Sequence, residues 1–218
     1  MRIEVALLVA LGLSLGGCRC QQPAEPKTTE TKTAALAPEA KCVPKVLVAL
    51  EGTPKIDGEL DEPVWHSAAA TEPFVHEKAN RVVPHTEARA SYDHDALYVV
   101  LYVADAELQS SDEVRISFDD GGEIAAGPGG AVSCHFPRRD EQSDCGAAGL
   151  VAKVDRDGDV DANKEEDEEW VVELKVPWRN LSADHVPKSV GVNFSRLETV
   201  EGRKLREVWS RGCGSIEL

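Results

Sequence analysis

Beyond its first seventeen residues the 218-residue chain has no apolar run of membrane-spanning length, no internal repeat and no cluster of Lys and Arg. The first absence excludes a later transmembrane helix, which needs about 20 apolar residues. The last argues against nucleic acid, because a polyanion must exchange its counterions for protein cations, and here 39 acids outweigh 24 bases for a net charge of −15. Methionine occurs once, as Met1, and C-x-x-C-H does not occur. A mature chain without the N-terminal segment could hold haem neither through methionine nor by c-type attachment. There is no G-x-S-x-G and no His in a recognisable triad context, and the carboxylates are too numerous for one acid–base pair to stand out. Binding rather than catalysis is the expectation.

The N-terminus is of a different kind. Arg2 precedes the apolar run "VALLVALGLSLGG", too short for a permanent span and ending in small residues, as a signal peptide over 1–17 would. Leu15-Gly16-Gly17-Cys18 resembles the lipobox of bacterial lipoproteins, in which cleavage leaves the cysteine as a lipid-modified first residue. An ordinary secretory signal with a chance cysteine is the competing reading. By the same resemblance Arg19, in place of Asp, points to the outer membrane, on its periplasmic or surface face. Several acyl chains would make attachment stable where one would be marginal. Residues 18–41, containing "QQPAEPKTTETKTAALAPEAK", have almost nothing to bury and are expected to be a disordered tether.

From Cys42 to Leu218 the pattern has period two, in short segments separated by Gly, Pro and Asp clusters, which predicts strands. In "WVVELKV", Trp170, Val172, Leu174 and Val176 share one face while Glu173 and Lys175 take the other, as in a strand half covered by a second sheet. "VRISF" and "VGVNF" alternate in the same way, and "ALYVVLYVAD" is apolar on both faces and so should lie centrally. Only "LDEPVWHSAAA" and "PWRNLSAD" look like single helical turns, too short to be stable alone. The fold expected is all-β, a jelly-roll-like antiparallel β-sandwich of about ten strands with short helical turns.

Four motifs, in order, carry a resemblance: "KIDGELDEPVWHSA", "YDHDALYVVLYVAD", "SDEVRISFDD" and "EEWVVELKVPWRNL", the last continued by "VGVNFSRLE" and "VWS". Together they are similar to the family 9 carbohydrate-binding modules over about residues 45–210. The resemblance implies a sandwich that binds sugars, often with structural calcium, and performs no chemistry. It also implies two aromatic residues clamping the sugar ring, one before the "SDEVRISFDD" strand and one after the closing Trp-Ser. Here those loops read "DAELQSS" and "SRGCGSIEL" and contain no aromatic, and the acid expected after Val114 is Arg115. Two functions therefore stand side by side: a glycan or envelope-polymer binder, or an envelope protein-interaction module that keeps the sandwich without the sugar site. Because a guanidinium fork suits carboxylates, Arg115 and the basic "PRRD" loop point to an acidic glycan if a glycan is bound.

Six cysteines in an exported chain predict disulfides. With Cys18 lipidated and Cys20 left over, Cys134 pairs with Cys145 across a ten-residue polar loop, and Cys42 with Cys213 across the ends of the domain. Trp65, Trp170 and Trp209 read as core. Trp178, after Pro177 at a strand end, is the one whose ring could meet a ligand at the surface. His76, His85 and His94 recur every nine residues, weak grounds for zinc because strand boundaries intervene. The run "DRDGDVDANKEEDEE" carries nine acids in fifteen positions. Asp157, Asp159, Asp161, Asn163, Glu165 and Glu168 have the spacing of a calcium loop, but Ala162 occupies the turn position that wants Gly and strands flank the loop. It reads as a hairpin tip, either holding calcium or simply solvated.

Overall fold

The computed structural model describes residues 42–76, 85–137, 144–162, 169–181, 185–200 and 202–218. The signal segment, Cys18, Cys20 and the tether lie outside these residues, as do Arg138, Arg139 and Asp140 of the basic loop and Asn163, Glu165 and Glu168 of the acidic tip.

Among the described residues the chain runs through β1 (Lys45–Val48), β2 (Leu50–Glu51), α1 (Pro63–Ser67), β3 (Val75–His76), β4 (Thr86–Tyr92), β5 (Ala96–Ala104) and β6 (Glu113–Phe118). It continues with β7 (Glu123–Ala126), β8 (Val132–His135), β9 (Val151–Asp157), β10 (Glu169–Pro177), a 3-10 turn (Trp178–Asn180), β11 (Ser189–Val200), β12 (Arg203–Val208) and β13 (Gly214–Glu217). Two sheets form the sandwich. One has the order β1-β13-β11-β6-β7-β8, with β12 pairing β11 and β3. The other has the order β2-β4-β5-β10-β9. The strands exceed the ten expected because two-residue pieces such as β2 and β3 carry too little sequence to show a period. Two pairs depart from the antiparallel rule: β1 beside β13 and β2 beside β4 are parallel.

The alternation sets the layers. β5 and β10 pair along their whole length, from Glu169 opposite Ala104 to Pro177 opposite Ala96. Leu97, Val99, Leu101 and Val103 face the inter-sheet core with Trp170, Val172, Leu174 and Val176, while Ala96, Tyr98, Val100 and Val171 face outward into a second, smaller core. The helical turn α1, opened by Pro63 at its first turn where the missing N–H costs nothing, brings Trp65 and Val64 over that outer face.

This second cover corrects the reading of β10 as a strand half open to water. Glu173 is fully buried, and its carboxylate accepts from Trp65 Nε1 at 2.7 Å, Gly58 N at 2.7 Å and Asp57 N at 3.0 Å. Burial still pushes its carboxyl above the ordinary range, against these three donors. The segment before α1 is thus pinned to the sheet by one buried acid, because a buried carboxylate is tolerable only when its oxygens are filled.

Both expected disulfides are present, Cys42–Cys213 with Cα atoms 6.1 Å apart and Cys134–Cys145 with 5.8 Å. The first ties β1 to β13, whose parallel pairing no short turn can enforce. Gly214 at the start of β13 sits where a Cβ would strike Trp209 and the Val192 carbonyl, so only glycine lets the closing strand approach.

Candidate functional site

β6, β11 and β12 lie side by side, and period two gives their outer face Glu113 and Arg115, Ser195 and Leu197, and Arg206. The register sets Arg115 opposite Ser195, and Leu197 between Glu113 and Arg206. These residues, with Arg196, line a shallow cleft of about 160 Å³. Arg115 does not stand open to an anion. Its Nε and Nη2 donate to Glu113 Oε1 at 3.0 and 2.5 Å, and its Nη1 to Glu123 Oε1 at 3.0 Å. The acid missing at position 115 is in effect supplied by both neighbours, leaving a row of carboxylate, guanidinium and carboxylate, with the Arg115 side chain 38% exposed.

The two loops expected to clamp a sugar are built for other work. In the loop before β6, Asp112 is 2% exposed and accepts from Gln109 N at 2.9 Å and Thr199 N at 2.7 Å. Ser110 N donates to Asp161 Oδ1 at 2.8 Å. The loop after Trp209 turns at once into β13, with Cys213 in its disulfide. Trp209 is 2% exposed, its ring 5.5 Å from that of Phe194.

Beneath the cleft lies a buried charge cluster that the sequence reading passed over. Arg196 is fully buried, with Nη2 3.0 Å from Asp105 and 3.2 Å from Glu198, and its Nη1 donates to the Ala104 carbonyl at 2.9 Å. The Asp105 contact is a close charge pair that lacks hydrogen-bond alignment. Glu207 stands opposite Arg196 across β11 and β12, is 2% exposed, and has Oε2 without a hydrogen-bond partner. Burial, opposed by Arg196 and helped by Glu198 and Asp105, pushes its carboxyl up to about 8. The carboxyls of Asp105, Asp112 and Glu198 are also raised, each first by burial. The signal was legible: Val192, Phe194, Arg196 and Glu198 share one face of β11, so the apolar alternation runs inward into charge.

Trp178 requires a correction. Its ring is 3% exposed and belongs to the inter-sheet core, because the 3-10 turn folds it back. Its backbone N donates to the Asp95 carbonyl at 3.1 Å and its Nε1 to the Asp93 carbonyl at 2.9 Å. With its indole N–H satisfied and its face buried, it offers no stacking surface. What remains accessible forms part of the wall of a cleft of about 510 Å³ with His94, Asp95, Gly149, Lys175, Pro177 and Arg179.

At the acidic tip the strand flanks are as expected, since Asp157 ends β9 opposite Glu169 of β10. Asp161, in a left-handed conformation at φ 61°, donates its N–H to the Leu108 carbonyl at 2.8 Å as its carboxylate receives Ser110. That carboxylate is therefore engaged in bracing the loop before β6. No three metal-ligating side chains gather among the described residues, so Asp157, Asp159 and Asp161 do not by themselves assemble the six to eight oxygens calcium takes. His76, His85 and His94 fall on β3, just before β4 and in the β4–β5 turn, with His85 beside Glu87 and His94 beside Asp95.

The sequence of the family described as carbohydrate family 9 binding domain-like matches residues 56–210. Among solved structures, a family 9 carbohydrate-binding module from Caldicellulosiruptor kristjanssonii in complex with cellotriose superposes with a TM-score of 0.58 at 19% identity, over 80% of this chain and 93% of that one. A module of the same family and organism in complex with glucose gives 0.57 at 18% identity, over 80% and 95%. At such identity the likeness speaks for the fold. No curated protein matches the sequence.

Proposed function

Because the chain belongs to the carbohydrate family 9 binding domain-like family, we propose that it is a non-catalytic glycan-binding domain, carried on the outer membrane by a lipid at Cys18. The observation behind this reading is the outer-face row of Glu113, Arg115 and Glu123 with Ser195 and Arg206 beside it. Alternating acceptors and donors at hydrogen-bond spacing suit sugar hydroxyls, which both donate and accept. A bare anion would meet the two carboxylates first.

Affinity should be low. Without clamping aromatics the cleft relies on hydrogen bonds, each netting about 0.5–1.5 kcal/mol in water, so gluco-oligosaccharides should bind no tighter than roughly millimolar, about 4 kcal/mol. Titration calorimetry with cello- and xylo-oligosaccharides tests this: weak binding lost in Arg206→Gln is expected, and micromolar binding untouched by that change would place the site elsewhere. A second reading, an envelope protein-interaction module, draws on edge strand β1, where Val46 and Val48 are 50% and 51% exposed. A glycan-array screen in which wild type binds nothing would favour it.

A further inference from the structure

The β4–β5 turn, the end of β10, the 3-10 turn and the segment before β9 meet at one end of the five-stranded sheet, around the cleft of about 510 Å³. That volume falls within the range of small-molecule pockets. Its charge is unusual for a chain of net −15. Lys175 and Arg179 both line it, and among the described residues neither makes a salt bridge, whereas Arg89, Arg115 and Arg196 each do.

Both cations are held in place by something other than a carboxylate. Arg179 Nη2 donates to the Ala148 carbonyl at 3.1 Å, lying where a Cβ on Gly149 would collide with it. Gly149 also has φ +77°, so this position excludes side chains on two counts and keeps the guanidinium against the backbone. Lys175 Nζ sits 5.8 Å from the centroid of the Tyr98 ring. The rim carries exposed His94, whose Nδ1 lies 3.1 Å from Asp95 Oδ1. Among the described residues Asp95 is the one acid in the lining. Pro177 gives the lining a small apolar wall. Repulsion from the distant net charge is screened beyond about 8–10 Å in physiological salt, so these local cations decide what the cleft attracts.

We propose that this cleft is a second ligand site, separate from the outer-face row on the other sheet, and that it takes the carboxylate of a uronic acid residue in an acidic glycan. The guanidinium fork of Arg179 suits a carboxylate, Lys175 adds a point charge, and the apolar wall accepts the C–H face of the ring. The inference rests on the glycan reading above and moves the expected acidic specificity from Arg115, which has two carboxylate partners, to two cations that have none among the described residues.

The test is calorimetry on the purified protein with a short oligogalacturonate, a cello-oligosaccharide and inorganic sulfate. Oligogalacturonate should bind wild type, at least tenfold more weakly to Lys175→Gln/Arg179→Gln, and unchanged to Arg206→Gln, while cello-oligosaccharide shows the converse pattern. Lys175→Gln alone, whose ammonium only overlies Tyr98, should also weaken oligogalacturonate and keeps the test valid if Arg179→Gln disturbs Ala148. No oligogalacturonate binding by wild type, wild-type affinity in both Lys175 variants, or loss in Arg206→Gln instead would each overturn the proposal. So would sulfate competing as well as the oligomer, which would leave a simple anion site. If cello-oligosaccharide binds and oligogalacturonate does not, only this inference fails; if neither binds, the parent glycan reading fails with it.

Discussion

Glu207 should make this domain less stable as pH rises through neutrality, the reverse of the usual behaviour of acid-rich proteins leaving acid. Its carboxyl lies at about 8 in the folded protein against an ordinary 4.5. Below about pH 4.5 it is protonated in both states and costs nothing. Between 4.5 and 8 the unfolded chain releases the proton while the folded one keeps it, so folding weakens as pH rises; above 8 the difference is constant. At 1.36 kcal/mol per tenfold change in proton affinity the ceiling is roughly 5 kcal/mol. Relaxation and water entry reduce such burial costs, so a loss of about 3 kcal/mol is expected, or roughly 6–12 °C in Tm for a domain of this size. The raised carboxyls of Asp105, Asp112, Glu198 and Glu173 add to the loss with the same sign. The lowered ones, such as Asp93, contribute stability above the ordinary carboxylate range and lose it only as pH falls through still lower values. Urea unfolding at about pH 5, 6.5 and 8.5 should show the decline, and Glu207→Gln should flatten much of it and be more stable than wild type at the alkaline end. A Glu207→Gln curve parallel to wild type, or wild-type stability rising from pH 5 to 8, would refute the argument.

Glu173→Ala strands Trp65 Nε1 and the amides of Asp57 and Gly58; with a buried unsatisfied group costing about 1–3 kcal/mol, a loss of roughly 3 kcal/mol in urea unfolding is expected, and a loss under 1 would mean water replaces the carboxylate. Cys213→Ser opens the link between β1 and β13 and should cost roughly 2–5 kcal/mol, with amide exchange in 45–48 accelerating first; unchanged protection there would show that pairing alone holds β1. Cys18→Ser should move the protein from membrane to soluble fractions, and unaltered retention would dismiss the lipid anchor. Calcium at the β9–β10 tip, proposed from the spacing of its acids, should raise Tm by several degrees over chelator, a gain that Asp157→Ala with Asp159→Ala removes; a gain that survives puts the ion elsewhere.

Period-two alternation acts between residues two apart, which is why the strands, their buried faces, the central place of β5 and the core role of Trp170 could all be read along the chain. The disulfide pairs were legible for a similar reason, since two cysteines bracketing a short loop and two bracketing the domain leave few sensible partners. Everything that depended on a third element was decided in space. Glu173 read as solvent-facing because nothing local announces that residues 57–65 fold over it. Trp178 read as a surface ring because its cover comes from the Asp93 and Asp95 carbonyls of a different hairpin. Arg115 read as an anion receptor because Glu123 reaches it only through the pairing of β6 with β7, and the cations Lys175 and Arg179 acquire a shared cleft only when the segment before β9 closes beside the 3-10 turn. Side-chain period is a property of one strand, whereas the partner of a charge is set by which strands the sandwich brings together, and at a functional surface it is the partner that decides what the charge can do.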